Sequence, residues 1–301
     1  MKIYDTFTFF REYELLEWRL KMLYDWVDCF VIVEGNRTFQ NAPKPFYFLQ
    51  AQERYAAYAD KIRYVPIKDA MPYTSNWSIE IYQRNAIKEA LYDAKPEDII
   101  VLSDVDEFIA PKTFQALREN RGEVRLFSSF AKTIERKGLR GLSRKLRCFF
   151  HAFPYRKKQY NLRDFLHDSP VVVEQEMFEF YINWAWGADW MGPILAEYRQ
   201  IDTMQSLRDR RNLLPMTQGG WHFSSMGGTK AFQRKMMANS DSMNNIFYHL
   251  APEEQEREIA AAIEKGYIWW ENRYVQKKSL DSLQIPHVKW FAAHWPNFVR
   301  A

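Results

Sequence analysis

The chain has very little cysteine: Cys29 and Cys148 are the only two in 301 residues. A disulfide-stapled secreted scaffold is thereby excluded, and Cys29, inside an apolar run, reads as a buried thiol. No stretch is long and apolar enough to cross a bilayer. The opening Met1-Lys2-Ile3-Tyr4-Asp5 has no signal-peptide hydrophobic region. These absences lead to the expectation of a reduced, cytoplasmic protein. Charge of one sign is scarce as well. With 42 Lys and Arg against 38 Asp and Glu, the formal net charge is +4, too small to indicate nucleic-acid binding. Internal repeats and low-complexity segments are missing too.

Apolar material is plentiful. Hydrophobic residues make up 47% of the chain and aromatics 17%, with 11 Trp, ample for the core of a globular α/β domain. Aromatic faces fill cores first; they also stack on sugar rings.

The richest stretch is Ile99-Ile100-Val101-Leu102-Ser103-Asp104-Val105-Asp106-Glu107-Phe108. Its apolar half reads as a buried strand, and three carboxylates follow within four positions. Ligands of open α/β sheets bind outside the carboxyl ends of strands. Along an extended backbone Asp104 and Asp106 face the same way. Two such carboxylates are reconciled by a divalent cation that also bridges to phosphate oxygens. The competing reading is an acidic turn.

Around this strand, hydrophobic spacing predicts a helix over Glu12–Tyr24 with Leu15, Leu16, Leu20 and Leu23 on one face. It also predicts a strand over Cys29–Glu34, a helix over Phe46–Lys61, a strand over Ile62–Ile67 and a helix over Ile79–Ala94. The alternation is that of a parallel, doubly wound sheet. Further on, Pro111–Glu119 reads as a helix, and Glu123–Phe130 and Val171–Trp184 as strands. Gly219–Ser224 reads as a strand after a glycine turn, and Lys230–Asn239 and Pro252–Lys265 as helices. Between them, about 131–170, lies a basic insertion in which Leu139, Leu142, Leu146, Phe149, Phe150 and Phe153 recur at helical spacing. It is either an interfacial helix for anionic membrane or a solvated basic helix packed by one face.

Five blocks give the chain a family likeness: Lys2–Phe10, Phe30–Asn36, Tyr82–Ile87, Leu102–Glu107 and Gly220–Gly228. In that order they resemble glycosyltransferase family 17, the family of the β-1,4-mannosyl-glycoprotein β-1,4-N-acetylglucosaminyltransferases. The resemblance implies one GT-A-like domain over 1–301 with a mostly parallel central sheet and C-terminal helices. It also implies a UDP-sugar donor (UDP-N-acetylglucosamine), a divalent metal (Mn2+ or Mg2+) and inversion at the anomeric carbon. The family's animal enzymes carry an N-terminal membrane helix that this sequence lacks. With the basic insertion, that difference fits a microbial enzyme at the inner face of a membrane, adding sugar to a glycan or lipid-linked glycan acceptor in surface polysaccharide synthesis.

The chemistry asks for the same residues. A departing diphosphate gains negative charge, which a carboxylate-held metal neutralises as a Lewis acid. Asp106 is the first choice of ligand, with Asp104 contacting ribose, metal or metal-bound water. Glu107 either orients the site or points into the sheet. His222 is a distant third ligand or a structural histidine. Arg84 and Asn85 precede the strand; Arg84 is suited to phosphate or to a salt bridge. Glu34 accepts from uracil or ribose, or else caps a turn. Gly227 and Gly228 allow close approach of backbone to phosphate, or make a turn. For the base that takes the acceptor's proton, Asp189 leads, with Glu176, Glu179 and Asp241 as alternatives. Trp184, Trp186, Trp190 and Trp221 are candidate sugar platforms. A phosphoryl-transfer hydrolase reading is heavily discounted, because Phe108 stands where such enzymes usually carry a Thr or Val and their later Lys and acidic pair are not recognisable. A non-catalytic glycan-binding or membrane-associated scaffold is the remaining alternative.

Overall fold

The computed structural model describes residues 1–68, 74–75, 77–125 and 160–300. The basic insertion and the strand expected at 123–130 fall mostly outside the described residues; the described part supplies a single bridge between Arg125 and Met216. The membrane contact expected of the insertion lies outside them too. Among the described residues no helix is long and apolar enough to cross a membrane.

The first half is built as the spacing predicts, except that the single helix expected over Phe46–Lys61 is a four-residue helix followed by a 3-10 stretch. Strand β1 (Ile3–Thr8) is followed by α1 (Tyr13–Leu23) and β2 (Cys29–Gly35). Next come a short α2 (Tyr47–Gln50), a 3-10 stretch over Gln52–Lys61 and β3 (Ile62–Ile67). Then α3 (Ser78–Glu89) leads into β4 (Ile99–Leu102). Strands β3, β2, β1 and β4 lie side by side, all parallel. Alternation sends Phe30, Ile32, Ile99 and Val101 to one face, where Leu15, Leu16, Trp18 and Leu20 of α1 cover them. Val31, Val33, Ile100 and Leu102 go to the other face, under Ile87 and Leu91. This is the doubly covered α/β architecture that a parallel sheet requires.

The second half joins the same sheet differently. After β5 (Glu107–Ile109), α4 (Pro111–Arg118) and α5 (Leu162–Asp168), strand β6 (Val171–Glu179) returns through β7 (Trp184–Glu197). Then come α6 (Met204–Asp209), β8 (Met216–Ser224), α7 (Gly228–Ala238) and α8 (Pro252–Lys265). The sheet runs β3-β2-β1-β4-β7-β6-β8-β5. Strand β7 is antiparallel to both β4 and β6, and β6 is parallel to β8. The single strand expected over Val171–Trp184 is thus a strand, a turn and the start of a longer strand. Small closing elements are β9 (Tyr267–Ile268), β10 (Arg273–Tyr274), β11 (Gln276–Lys277) and α9 (Val288–His294).

One buried ion pair fixes how α1 meets the end of β4. Arg19 is fully buried. Its Nε lies 2.8 Å from Asp5 Oδ2 and its Nη2 2.5 Å from Asp5 Oδ1. Its Nη1 donates to the carbonyls of Asp104 at 2.9 Å and Glu107 at 2.8 Å. The same guanidinium lies over the Phe7 ring, 4.4 Å from its centroid. Removing one partner of a buried pair strands the other charge. Arg19→Met is therefore expected to destabilise the protein by about 3–5 kcal/mol in urea unfolding. The double variant Arg19→Met/Asp5→Asn should recover part of that loss; no recovery would show that the cost lies in packing.

Candidate active site

The Asp-x-Asp segment is a turn rather than strand. Glu107 N–H closes it onto the Asp104 carbonyl at 3.0 Å, and pairing resumes at Glu107 opposite His222. Phe223 N–H also donates to the Asp106 carbonyl at 2.9 Å. Asp104 and Asp106 both still face the pocket, through turn geometry instead of strand alternation. The β5–β8 pairing brings His222 to them across more than a hundred residues. The pocket holds about 520 Å³ and opens beyond the carboxyl ends of β1, β2 and β4.

Asp104 and Asp106 each meet cations. Asp104, 38% exposed at its side chain, accepts from Arg208 at 2.7 Å and lies 3.6 Å from Arg84. Burial works against its charge, and the Arg208 and Arg84 guanidinium groups outweigh it, holding the carboxyl below its ordinary value. Asp106, 6% exposed, accepts from Lys235 at 2.7 Å and faces His222 Nε2 at 3.6 Å. Burial opposes its ionisation as well, but Lys235 and His222 keep it well below the usual carboxylate range. Arg84 also donates to Glu80 and Gln205, each at 2.5 Å. It lines the pocket.

Other expectations need correction. Glu107 is fully buried and faces Arg208, not the pocket. Its oxygens take Arg208 at 2.7 and 3.0 Å, Trp190 Nε1 at 2.7 Å and the Asp104 N–H at 2.9 Å. Its acceptor positions are filled, and it lies outside the pocket lining where catalysis was expected of it. Gly192 serves the same cluster, since a Cβ there would lie 2.6 Å from Glu107 Oε1. Glu34 is buried likewise. It holds Lys44 at 2.6 Å and accepts from the N–H groups of Tyr47 and Phe48 and from the Tyr64 hydroxyl, so the capping alternative is the right one. Asn85 accepts from Gln205 N–H at 2.9 Å and ties α3 to α6, outside the pocket lining. Gly227 and Gly228, at φ 93° and 79°, form the turn from β8 into α7. Neither lines the pocket.

Asp189 lies in β7, and its side chain is outside the described ones. Glu176 is paired with Lys278. Glu179 is almost fully buried. Asp241 lines the pocket. Trp184 is core, with Nε1 on the Arg300 carbonyl. Trp186 and Trp221 pack against cores. Trp190 does line the pocket and sits 4.7 Å from the His222 ring. Arg208, Arg211, Lys235 and Trp77 also line it; no sequence motif marks them. Helical spacing placed Lys235 on a helix, but only the turn at Gly227 aims it at Asp106.

Residues 1–127 match the family model described as glycosyltransferase family 17. No curated protein matches the chain. Among solved structures it is similar to residues 1–349 of S. aureus TarS: 10% identity, 88% of this chain and 71% of that one, TM-score 0.34. It is also similar to an active-site mutant of LgtC, at 12% identity over 100% and 97% of the two chains, TM-score 0.34. A galactosyltransferase LgtC complex with donor and acceptor sugar analogs gives 11% identity over 100% and 97%, TM-score 0.34. Structural likeness at this level adds nothing to the fold described above. The family match, over less than half of the chain, supports a glycosyltransferase enzyme. The matched part contains Arg84, Asp104 and Asp106, while His222, Lys235 and Arg208 lie beyond it.

Glu179 gives the site region a measurable pH signature. Burial pushes its carboxyl up to about 7, against a hydrogen bond from Ser225 and the nearby His222 and Lys235. Between its ordinary 4.5 and about 7 the folded state holds a proton that the unfolded state has lost. Stability from this group is present below that window and is lost as pH rises through it. The melting temperature of Glu179→Gln should decline less than wild type between pH 5 and pH 8; equal declines would remove Glu179 as the cause.

Proposed function

We propose that this protein transfers a sugar, N-acetylglucosamine from UDP-N-acetylglucosamine, to a glycan or lipid-linked glycan with inversion. The observation that supports this most is the meeting of Asp104, Asp106, His222 and Arg84 in one pocket at the carboxyl ends of parallel strands. The acceptor class, microbial surface polysaccharide, and a place at the anionic inner membrane face come from the sequence features described above. They are part of the same proposal.

A divalent cation, Mn2+ or Mg2+, fits the residues present. Asp106 Oδ1 and His222 Nε2 stand 3.6 Å apart. Two ligands about 2.1 Å from one ion are separated by roughly 3–3.5 Å. Among the described residues no group of three or more His, Cys, Asp or Glu could hold a metal. Asp106 and His222 would therefore hold the ion jointly with substrate phosphate, as hard divalent cations are commonly held. Asp104, proposed from sequence as a ligand, instead keeps one oxygen on Arg208 and presents its exposed side to the donor. When bound, the metal would neutralise charge growing on the diphosphate.

The chain's own groups do the rest. Lys235 holds Asp106 ionised from the oxygen away from His222. Arg208 and Glu107 fix the turn that carries both aspartates. The acceptor hydroxyl's proton goes to a carboxylate, for which Asp189 and Asp241 are the two proposed bases. Ligand binding to the folded state raises its stability. UDP-N-acetylglucosamine with Mn2+ is expected to raise the melting temperature of wild type and of Asp189→Asn and Asp241→Asn, but not of Asp106→Ala. Transfer should be lost in one of the two Asn variants. No shift with any nucleotide sugar and metal would favour the glycan-binding scaffold.

A further inference from the structure

Six cationic side chains line the pocket, and five of them are engaged. Arg84, Arg208, Lys235 and Lys44 each hold a carboxylate. Arg37 donates to the Asn41 carbonyl and side chain at 3.0 and 3.2 Å. Arg211 is different. It follows α6 in a 3-10 turn over Arg211–Leu213 and faces the pocket half-buried. Its guanidinium lies over the Trp190 ring, 5.0 Å from the centroid. Among the described residues no carboxylate lies within ion-pair distance and its side chain makes no hydrogen bond.

A guanidinium in such a place is held in orientation by its stacking and has all its donors available. Burial first, and then the neighbouring Arg208 charge, press its pKa down to about 10. It is still a cation at neutral pH, in surroundings that favour a counter-charge. Trp190 joins Arg211 to the rest of the site. The Trp190 ring lies against that of His222, and Trp190 Nε1 donates to Glu107 at 2.7 Å.

We propose that Arg211, laid on Trp190, is an anion subsite that takes a phosphate or carboxylate group of the substrate. This rests on the reading of the pocket as a transferase site only for which substrate brings the anion. The donor's diphosphate is one source and an acidic acceptor sugar the other. Arg211 supplies positive charge from the protein itself, on the Trp190 side of the proposed metal position. Binding of an anion here does not require the divalent ion.

The test measures binding in EDTA by tryptophan fluorescence, with UDP, inorganic diphosphate, uridine and glucose 6-phosphate as probes. Wild type, Arg211→Gln and Arg211→Lys are compared. Loss of a charge-assisted contact to phosphate is expected to weaken binding about tenfold or more. If UDP and diphosphate weaken in Arg211→Gln while uridine does not, the subsite is present and the donor is the source. If only glucose 6-phosphate weakens, the subsite is present and the acceptor is the source. Arg211→Lys, which keeps the charge and loses the fork, should fall between the other two and serves if the Gln variant does not fold. Equal affinities in all three proteins, or no anion binding by wild type, would overturn the inference. Diphosphate binding through Arg211 without any sugar transfer would end the transferase reading and leave this one standing. An active transferase indifferent to Arg211→Gln would do the reverse.

Discussion

The arrangement depends on Arg19. A guanidinium with no solvent exposure is costly unless every donor is matched, and here Asp5 neutralises it in bidentate fashion while backbone carbonyls and the Ser103 hydroxyl take the remainder. Those carbonyls belong to the turn that carries Asp104 and Asp106. The same residue thus locks α1 against β1 and sets the backbone of the acidic turn. The outward side chains of that turn are then committed to the pocket, because the inward side of its backbone is already taken. The strand pairing of Glu107 with His222 continues from it.

A second layer of pairing governs charge. Asp104, Asp106 and Glu107 would repel one another in so small a space. Arg208, Arg84 and Lys235 turn that repulsion into a network in which acids and bases alternate. Glu107 lies at the bottom of this network and orients Arg208, which in turn holds Asp104. The outcome is a pocket in which neighbouring cations hold Asp104 and Asp106 ionised. The Asp106 oxygen that faces His222 is the one Lys235 leaves free. Arg211 stands beside the network without being consumed by it.

Much of this was legible in the chain, for physical reasons that differ by element. The β4 run and the Leu face of α1 are periodic, so local pattern sufficed. The Asp-x-Asp segment and the block around His222 stood out because their residue types are chemically specific, and both reach the pocket. Glu34 and Glu107 misled because a carboxylate at a strand end looks the same whether it faces a ligand or a buried cation. Their partners, Lys44 and Arg208, are fixed only by tertiary packing. Arg19 was hidden in a helix whose apolar face drew attention to its leucines. The Trp-rich stretch from Trp184 to Trp190 read as a sugar platform because composition cannot tell a strand that enters the core from one that lines a pocket. Only Trp190 of that stretch does the latter among the described residues.

The proposed reaction breaks the bond between a sugar and a nucleoside diphosphate. The most direct measurement is UDP release from UDP-N-acetylglucosamine in the presence of Mn2+ and no acceptor, for wild type and Asp106→Asn. Slow metal-dependent release by wild type, with none from the variant at an unchanged melting temperature, is the predicted result. Identical release from both, or none from either across the panel of nucleotide sugars, would contradict it.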